Sequence, residues 1–128
     1  MLNVKATVAL VAVAITLAVP LALPAQAATP VHVTSGSCSG NSSWKLTLKF
    51  DNGRVESDVE VQTPLAGQQW RSAFKDNGVG FGYALKTTVA DGSFSATRFA
   101  TNQAGLDSIL VKSTNVATGE VCRATGIL

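Results

Sequence analysis

Residues 44–61 read "WKLTLKFDNGRVESDVEV". At their centre, Asn52-Gly53 suits the two middle positions of a type I′ turn, where both residues need φ > 0. A two-residue turn leaves only one register for the strands it joins. Asp51 then faces Arg54, Phe50 faces Val55, Lys49 faces Glu56, Leu48 faces Ser57, Thr47 faces Asp58, Leu46 faces Val59, Lys45 faces Glu60 and Trp44 faces Val61. One face collects Trp44, Leu46, Leu48, Phe50, Val55, Val59 and Val61, and the other collects two Lys–Glu pairs and a Thr–Asp pair. That separation is the signature of a half-buried antiparallel hairpin. It also explains the acidic stripe Glu56, Asp58, Glu60 without chemistry, because two of the three acids have lysines directly across the ladder on a solvated face. An EF-hand reading fails, since the acids do not alternate ahead of the glycine.

The same turn chemistry recurs in "FKDNGVG", residues 74–80. A second I′ hairpin about Asn77-Gly78 predicts Asp76 opposite Val79, Lys75 opposite Gly80, Phe74 opposite Phe81, Ala73 opposite Gly82, Ser72 opposite Tyr83, Arg71 opposite Ala84 and Trp70 opposite Leu85. Trp70, Ser72, Phe74, Phe81, Tyr83 and Leu85 would form its core face. Ala73, Gly80, Gly82 and Ala84 would leave the other face bare, rimmed by Gln69, Arg71, Lys75 and Lys86. Glycines within a strand mark close approach by another group. This face is therefore the candidate partner-binding surface, with an approach by the protein's own chain as the competing explanation. The glycines of "GVGFGY" are no phosphate loop, because they alternate with aromatic residues and no helix follows.

Further along, period-two patterning between turn signals predicts strands near 44–50, 54–62, 69–76, 79–89, 93–100, 107–114 and 120–125. No segment has a helical period. Seven short antiparallel strands in a single all-β domain over 40–128 point to a sandwich, with 28–39 as a flexible N-terminal segment.

Residues 1–27 carry one Lys, a long apolar run and Ala25-Gln26-Ala27, the small-x-small pattern preceding a signal-peptidase cut. The expectation is a cleaved signal peptide with Ala28 as the new N-terminus, and a free, secreted protein with no membrane segment left. Without Lys5, nine basic residues face eight acidic ones, which gives no electrostatic footprint for nucleic acid. The two cysteines, Cys38 and Cys122, read as a disulfide in an oxidising compartment.

The pattern of a Trp on the third strand ("QQWRSAF"), an Asp opening the sixth ("DSILVKS") and a short hairpin to the last resembles immunoglobulin-like and fibronectin type III-like sandwiches. With "CSGNSSWKL", "DNGRVE" and "TNVATGEVC" the chain also resembles small uncharacterised secreted sandwich proteins of high-GC Gram-positive bacteria. That resemblance implies an immunoglobulin-like β-sandwich and no particular activity. It departs from antibody domains in its disulfide, which would clasp the two terminal segments.

No constellation in the sequence supports catalysis. His32 is the one histidine, no nucleophile elbow is present, and no acids or thiols stand at metal-ligand spacing. The expected protein is a non-enzymatic, monomeric binding module with no cofactor, whose partner is an extracellular protein or polysaccharide. A passive structural role and a peptidase inhibitor are the alternatives. The inhibitor reading rests on "TPLAGQ", residues 63–68, where Leu65 follows Pro64; the favoured placement of Leu65 is against the core.

Overall fold

A computed structural model describes residues 9–23 and 29–128. The Ala25-Gln26-Ala27 pattern and Ala28 lie outside the described residues. Residues 9–23 have no regular secondary structure, and their apolar side chains are exposed. The remainder is all-β. Strands β1 (Val31–Ser37), β2 (Ser43–Asp51), β3 (Arg54–Gln62) and β6 (Ser93–Thr101) form one antiparallel sheet in the order β1-β2-β3-β6. Strands β4 (Gln69–Asp76), β5 (Val79–Thr87), β7 (Ser108–Asn115) and β8 (Val121–Ile127) form the other, in the order β5-β4-β7-β8. The sheets pack face to face over Leu46, Leu48, Val55, Val59, Val61, Trp70, Phe74, Phe94, Ile109 and Val111.

The first hairpin has the expected register at every pair from Asp51↔Arg54 to Trp44↔Val61. Asn52 and Gly53 take the positive φ that a I′ turn demands, 49° and 75°. Lys49 and Glu56 meet at 2.8 Å, and Lys45 and Glu60 at 4.0 Å. Glu56 is more covered than expected, its side chain 20% exposed, because β6 lies beside β3 and sets Phe99 opposite it.

The described residues form eight strands, one more than the sequence pattern predicts. The additional strand, β1, occupies the segment expected to be flexible and pairs along its whole length with β2, from Val31↔Lys49 to Ser37↔Ser43. It is an edge strand with almost no buried side chains, so backbone hydrogen bonds hold it rather than an apolar stripe. Hydrophobic periodicity has nothing to detect in such a strand.

The second hairpin departs from its expected register. The turn is as expected, with Asn77 at φ 47° and Gly78 at φ 83°. After Lys75↔Gly80, however, a β-bulge at Phe81 shifts the pairing, so that Phe74 faces Gly82, Ala73 faces Tyr83, Ser72 faces Ala84, Arg71 faces Leu85 and Trp70 faces Lys86. One extra residue turns every later side chain of β5 to the opposite face. Ala84, expected outside, is core at 5% exposure; Tyr83, expected inside, is 72% exposed.

Candidate functional site

Cys38 and Cys122 are joined in a disulfide that ties the β1–β2 connection of one sheet to β8 of the other. Glu120 reinforces it. Its Oε2 accepts from the Gly40 and Ser42 N–H groups, both at 3.0 Å, and its Oε1 accepts from Ser42 Oγ at 2.9 Å. A Cβ at Gly40 would stand 2.7 Å from a Glu120 carboxylate oxygen, so a larger residue there would have to displace the Glu120 side chain from the clasp. The 38–43 and 118–122 segments, eighty residues apart in sequence, thus form one clasp.

The bulge dismantles the bare face expected on the second hairpin. Ala84 belongs to the core. Gly82 is covered by Arg98 of β6, whose Cγ would lie 3.0 Å from an added Cβ. Arg98 Nε donates to the Tyr83 carbonyl at 2.9 Å, and its Nη1 donates to the Thr97 carbonyl at 2.7 Å. The glycine therefore admits an arginine of the same chain, which closes the open seam between edge strands β5 and β6. Lys86, opposite Trp70, is exposed at the margin of that seam.

What remains on the outer face of the second sheet is a different and larger surface. Along β4, Gln69, Arg71, Ala73 and Lys75 point outward, and Gly80 lies opposite Lys75. The corrected register adds Tyr83 and Leu85 from β5. Alternation on β7 and β8 adds Lys112 and Arg123, which no local sequence pattern places beside β4. One row across the sheet runs Tyr83–Ala73–Lys112–Arg123. Arg71 and Lys75 flank Ala73 two residues away along β4, so the small Ala73 side chain lies in a dip among three cations. Shallow depressions open on both sides of Arg71, one lined also by Tyr83, Leu85 and Arg98, the other by Thr114, Asn115 and Val116.

The two outer faces differ in charge. On the first sheet Lys45, Lys49 and Arg54 are each ion-paired, to Glu60, Glu56 and Asp51. Arg54 also lies 4.2 Å over the Phe99 ring. On the second sheet Arg71, Lys75, Lys112 and Arg123 share the face with no acid, and none has an ion-pair partner among the described residues. Lys112 and Arg123 are directly opposite each other, an arrangement that costs stability.

The 63–68 loop presents Leu65 at 57% exposure, not folded against the core as expected. It is held from beneath: the Leu65 carbonyl accepts from Thr63 Oγ1 at 3.0 Å and Thr88 Oγ1 at 2.8 Å. Gly92 packs so tightly under the loop that a Cβ would overlap the Thr63 carbonyl. A substrate-mimicking inhibitor must offer the carbonyl of its exposed residue to a peptidase's oxyanion hole. Here that carbonyl faces the protein body.

At the opposite end of the sandwich Asp76 and Asp107 are buried side by side, an acidic pair that sequence spacing gave no reason to join. Burial, followed by the Asp107 carboxyl beside it, raises the Asp76 pKa to about 6. No group of three or more His, Cys, Asp or Glu side chains converges among the described residues, and no helix there is long and apolar enough to cross a membrane. No protein-family model, curated protein or solved structure matches this chain.

Proposed function

We propose that this chain is an exported, non-enzymatic binding module that engages an anionic extracellular polymer through the outer face of its second sheet. The observation that carries the reading is the set Arg71, Lys75, Lys112 and Arg123, four cations on one flat face with no acid among them. A fold tolerates like charges in direct cross-strand contact at some expense in stability, and an incoming row of carboxylates or phosphates would relieve it. Cross-strand neighbours stand about 5 Å apart and same-face neighbours along a strand about 7 Å, a pitch suited to a chain bearing regularly spaced charges. The exposed Tyr83 ring beside Ala73 offers an apolar platform for a sugar face, and the planar guanidinium of Arg71 suits bidentate contact with a carboxylate.

Export is supported by the leader pattern of residues 1–27 and by the Cys38–Cys122 disulfide. An immunoglobulin-like identity for the sandwich is supported by the strand order. With β1 set aside, β2, β3 and β6 correspond to strands A, B and E, and β5, β4, β7 and β8 to C′, C, F and G.

The test is binding of the disulfide-bonded protein to a polyuronate at low ionic strength, with a neutral glucan as control. Expected are measurable affinity for the polyuronate alone, loss of binding with added salt, and at least a tenfold weakening in the double variant Arg71→Glu, Lys112→Glu. Absence of polyuronate binding, or binding unchanged in the double variant, overturns the proposal in favour of a passive structural protein.

A further inference from the structure

Eight carboxylates occur in the sequence. Six meet a donor or a cation: Asp51 has Arg54, Glu56 has Lys49, Glu60 has Lys45, Asp58 has Thr97, Asp91 has Ser93, and Glu120 has Gly40 and Ser42. The other two are the most deeply buried. Asp76 is 5% exposed and neither of its carboxylate oxygens has a donor. Asp107 is 0% exposed; its Oδ1 accepts from the Gln103 N–H at 3.1 Å and its Oδ2 has no donor. The two carboxyls lie within hydrogen-bonding reach of each other. Three orphaned oxygens from separate chain segments therefore share one buried spot.

A buried carboxylate without a partner is expensive, so something positive belongs among these oxygens. The neighbouring chain does not supply it. Lys75 points to the outer face, and neither the 77–78 turn, the 102–106 segment, the facing β-residues Val79, Ser108 and Ile109, nor Leu128 carries a cationic side chain. A single shared proton would join one Asp76 oxygen to Asp107 Oδ2 and leave the second Asp76 oxygen with nothing. A cation ligated by all three leaves none unpaired. An all-oxygen, anionic donor set selects a hard ion. Two carboxylates, with backbone carbonyls and waters completing the shell, suit Ca²⁺, which accepts irregular geometry; Mg²⁺ demands a near-octahedral shell. We propose that Asp76 and Asp107 form a calcium site at the end of the sandwich where β4 ends and β7 begins.

The experiment is thermal unfolding and titration calorimetry of the disulfide-bonded protein, stripped with chelator at about pH 7.5 and then given CaCl₂ to about 5 mM, above the 10⁻⁴–10⁻³ M typical of extracellular calcium modules. Expected is a saturable heat and a melting temperature raised by about 5 °C or more. In Asp76→Asn both responses disappear, while the chelated variant melts no lower than the parent because a buried like-charge contact has gone. Asp107→Asn gives a second reading of the same loss. No heat and no shift with calcium in the parent protein overturns the site. A response that persists in Asp76→Asn places the ion elsewhere, and an equal response to MgCl₂ at the same concentration overturns the choice of calcium.

Discussion

The two ends of the sandwich treat their acids in opposite ways. At the clasp end, Glu120 receives three hydrogen bonds and sits beside the disulfide, and the 63–68 loop nearby is tied down through Thr63, Thr88 and Gly92. At the other end of β7, about 25 Å away by strand rise, Asp76 and Asp107 are buried with three oxygens unanswered. A carboxylate surrounded by N–H donors organises chain and needs nothing further. A carboxylate pair with three of its four oxygens lacking donors is held in place by the fold at the expense of stability, which is how a site for an ion differs from a structural contact.

Cutting the clasp gives the largest expected effect. Replacing both cysteines by alanine should lower unfolding free energy by about 4–5 kcal/mol in the chain-entropy model, since the loop closed spans 84 residues. Chemical denaturation of the double variant checks this. A loss under about 1 kcal/mol would mean that the Glu120 contacts, and not the covalent link, carry that end.

The acidic end should respond to pH in the chelated protein. Asp76 ionises near 6 in the fold against 3.8 unfolded, so the native state holds its proton more tightly. Stability attributable to it is complete below the unfolded value and is lost as pH rises through about 6. The loss should reach about 2–3 kcal/mol. Denaturant melts across that window should show the decline in the parent and its absence in Asp76→Asn. A parent flat across the window would mean that the pair is not a source of strain.

Glu120→Ala is the mirror experiment. It leaves the Gly40 and Ser42 donors unpaired and should cost about 2 kcal/mol, with no dependence on calcium. If Glu120→Ala proved neutral while Asp76→Asn destabilised, the contrast between the ends would be reversed.

The smallest effect concerns the basic face. Lys112→Thr removes the contact with Arg123 and should raise stability by a few tenths of a kcal/mol, about what one unfavourable cross-strand pair costs. It should also weaken polyuronate binding. A loss of stability would show that the lysine stem packs usefully on the sheet.

The first hairpin was legible in every pair because a two-residue I′ turn admits one register and the alternation on both strands agrees with it. The second was legible only as far as Gly80. Tyr83 and Leu85 continue an apolar alternation that looks like core, and nothing local announces the bulge at Phe81 except the glycines on either side of it. That single inserted residue moved the candidate surface from Gly82 and Ala84 to Tyr83 and Leu85. The remainder of the basic face needed knowledge that β7 and β8 lie beside β4, a pairing between segments about forty residues apart that no short-range pattern encodes.

Turn chemistry and period-two alternation are local properties, so the amino-acid order alone determined the all-β class, seven of the eight strands and the first hairpin's register. The cysteine pair also followed from it, because only one pairing of two cysteines exists within the chain. Strand β1, the seating of Arg98 over Gly82, the four-cation face and the meeting of Asp76 with Asp107 were decided by tertiary structure. Each depends on which strand ends lie together once two sheets pack. Burial and electrostatics act on that spatial neighbourhood and take no account of distance along the chain.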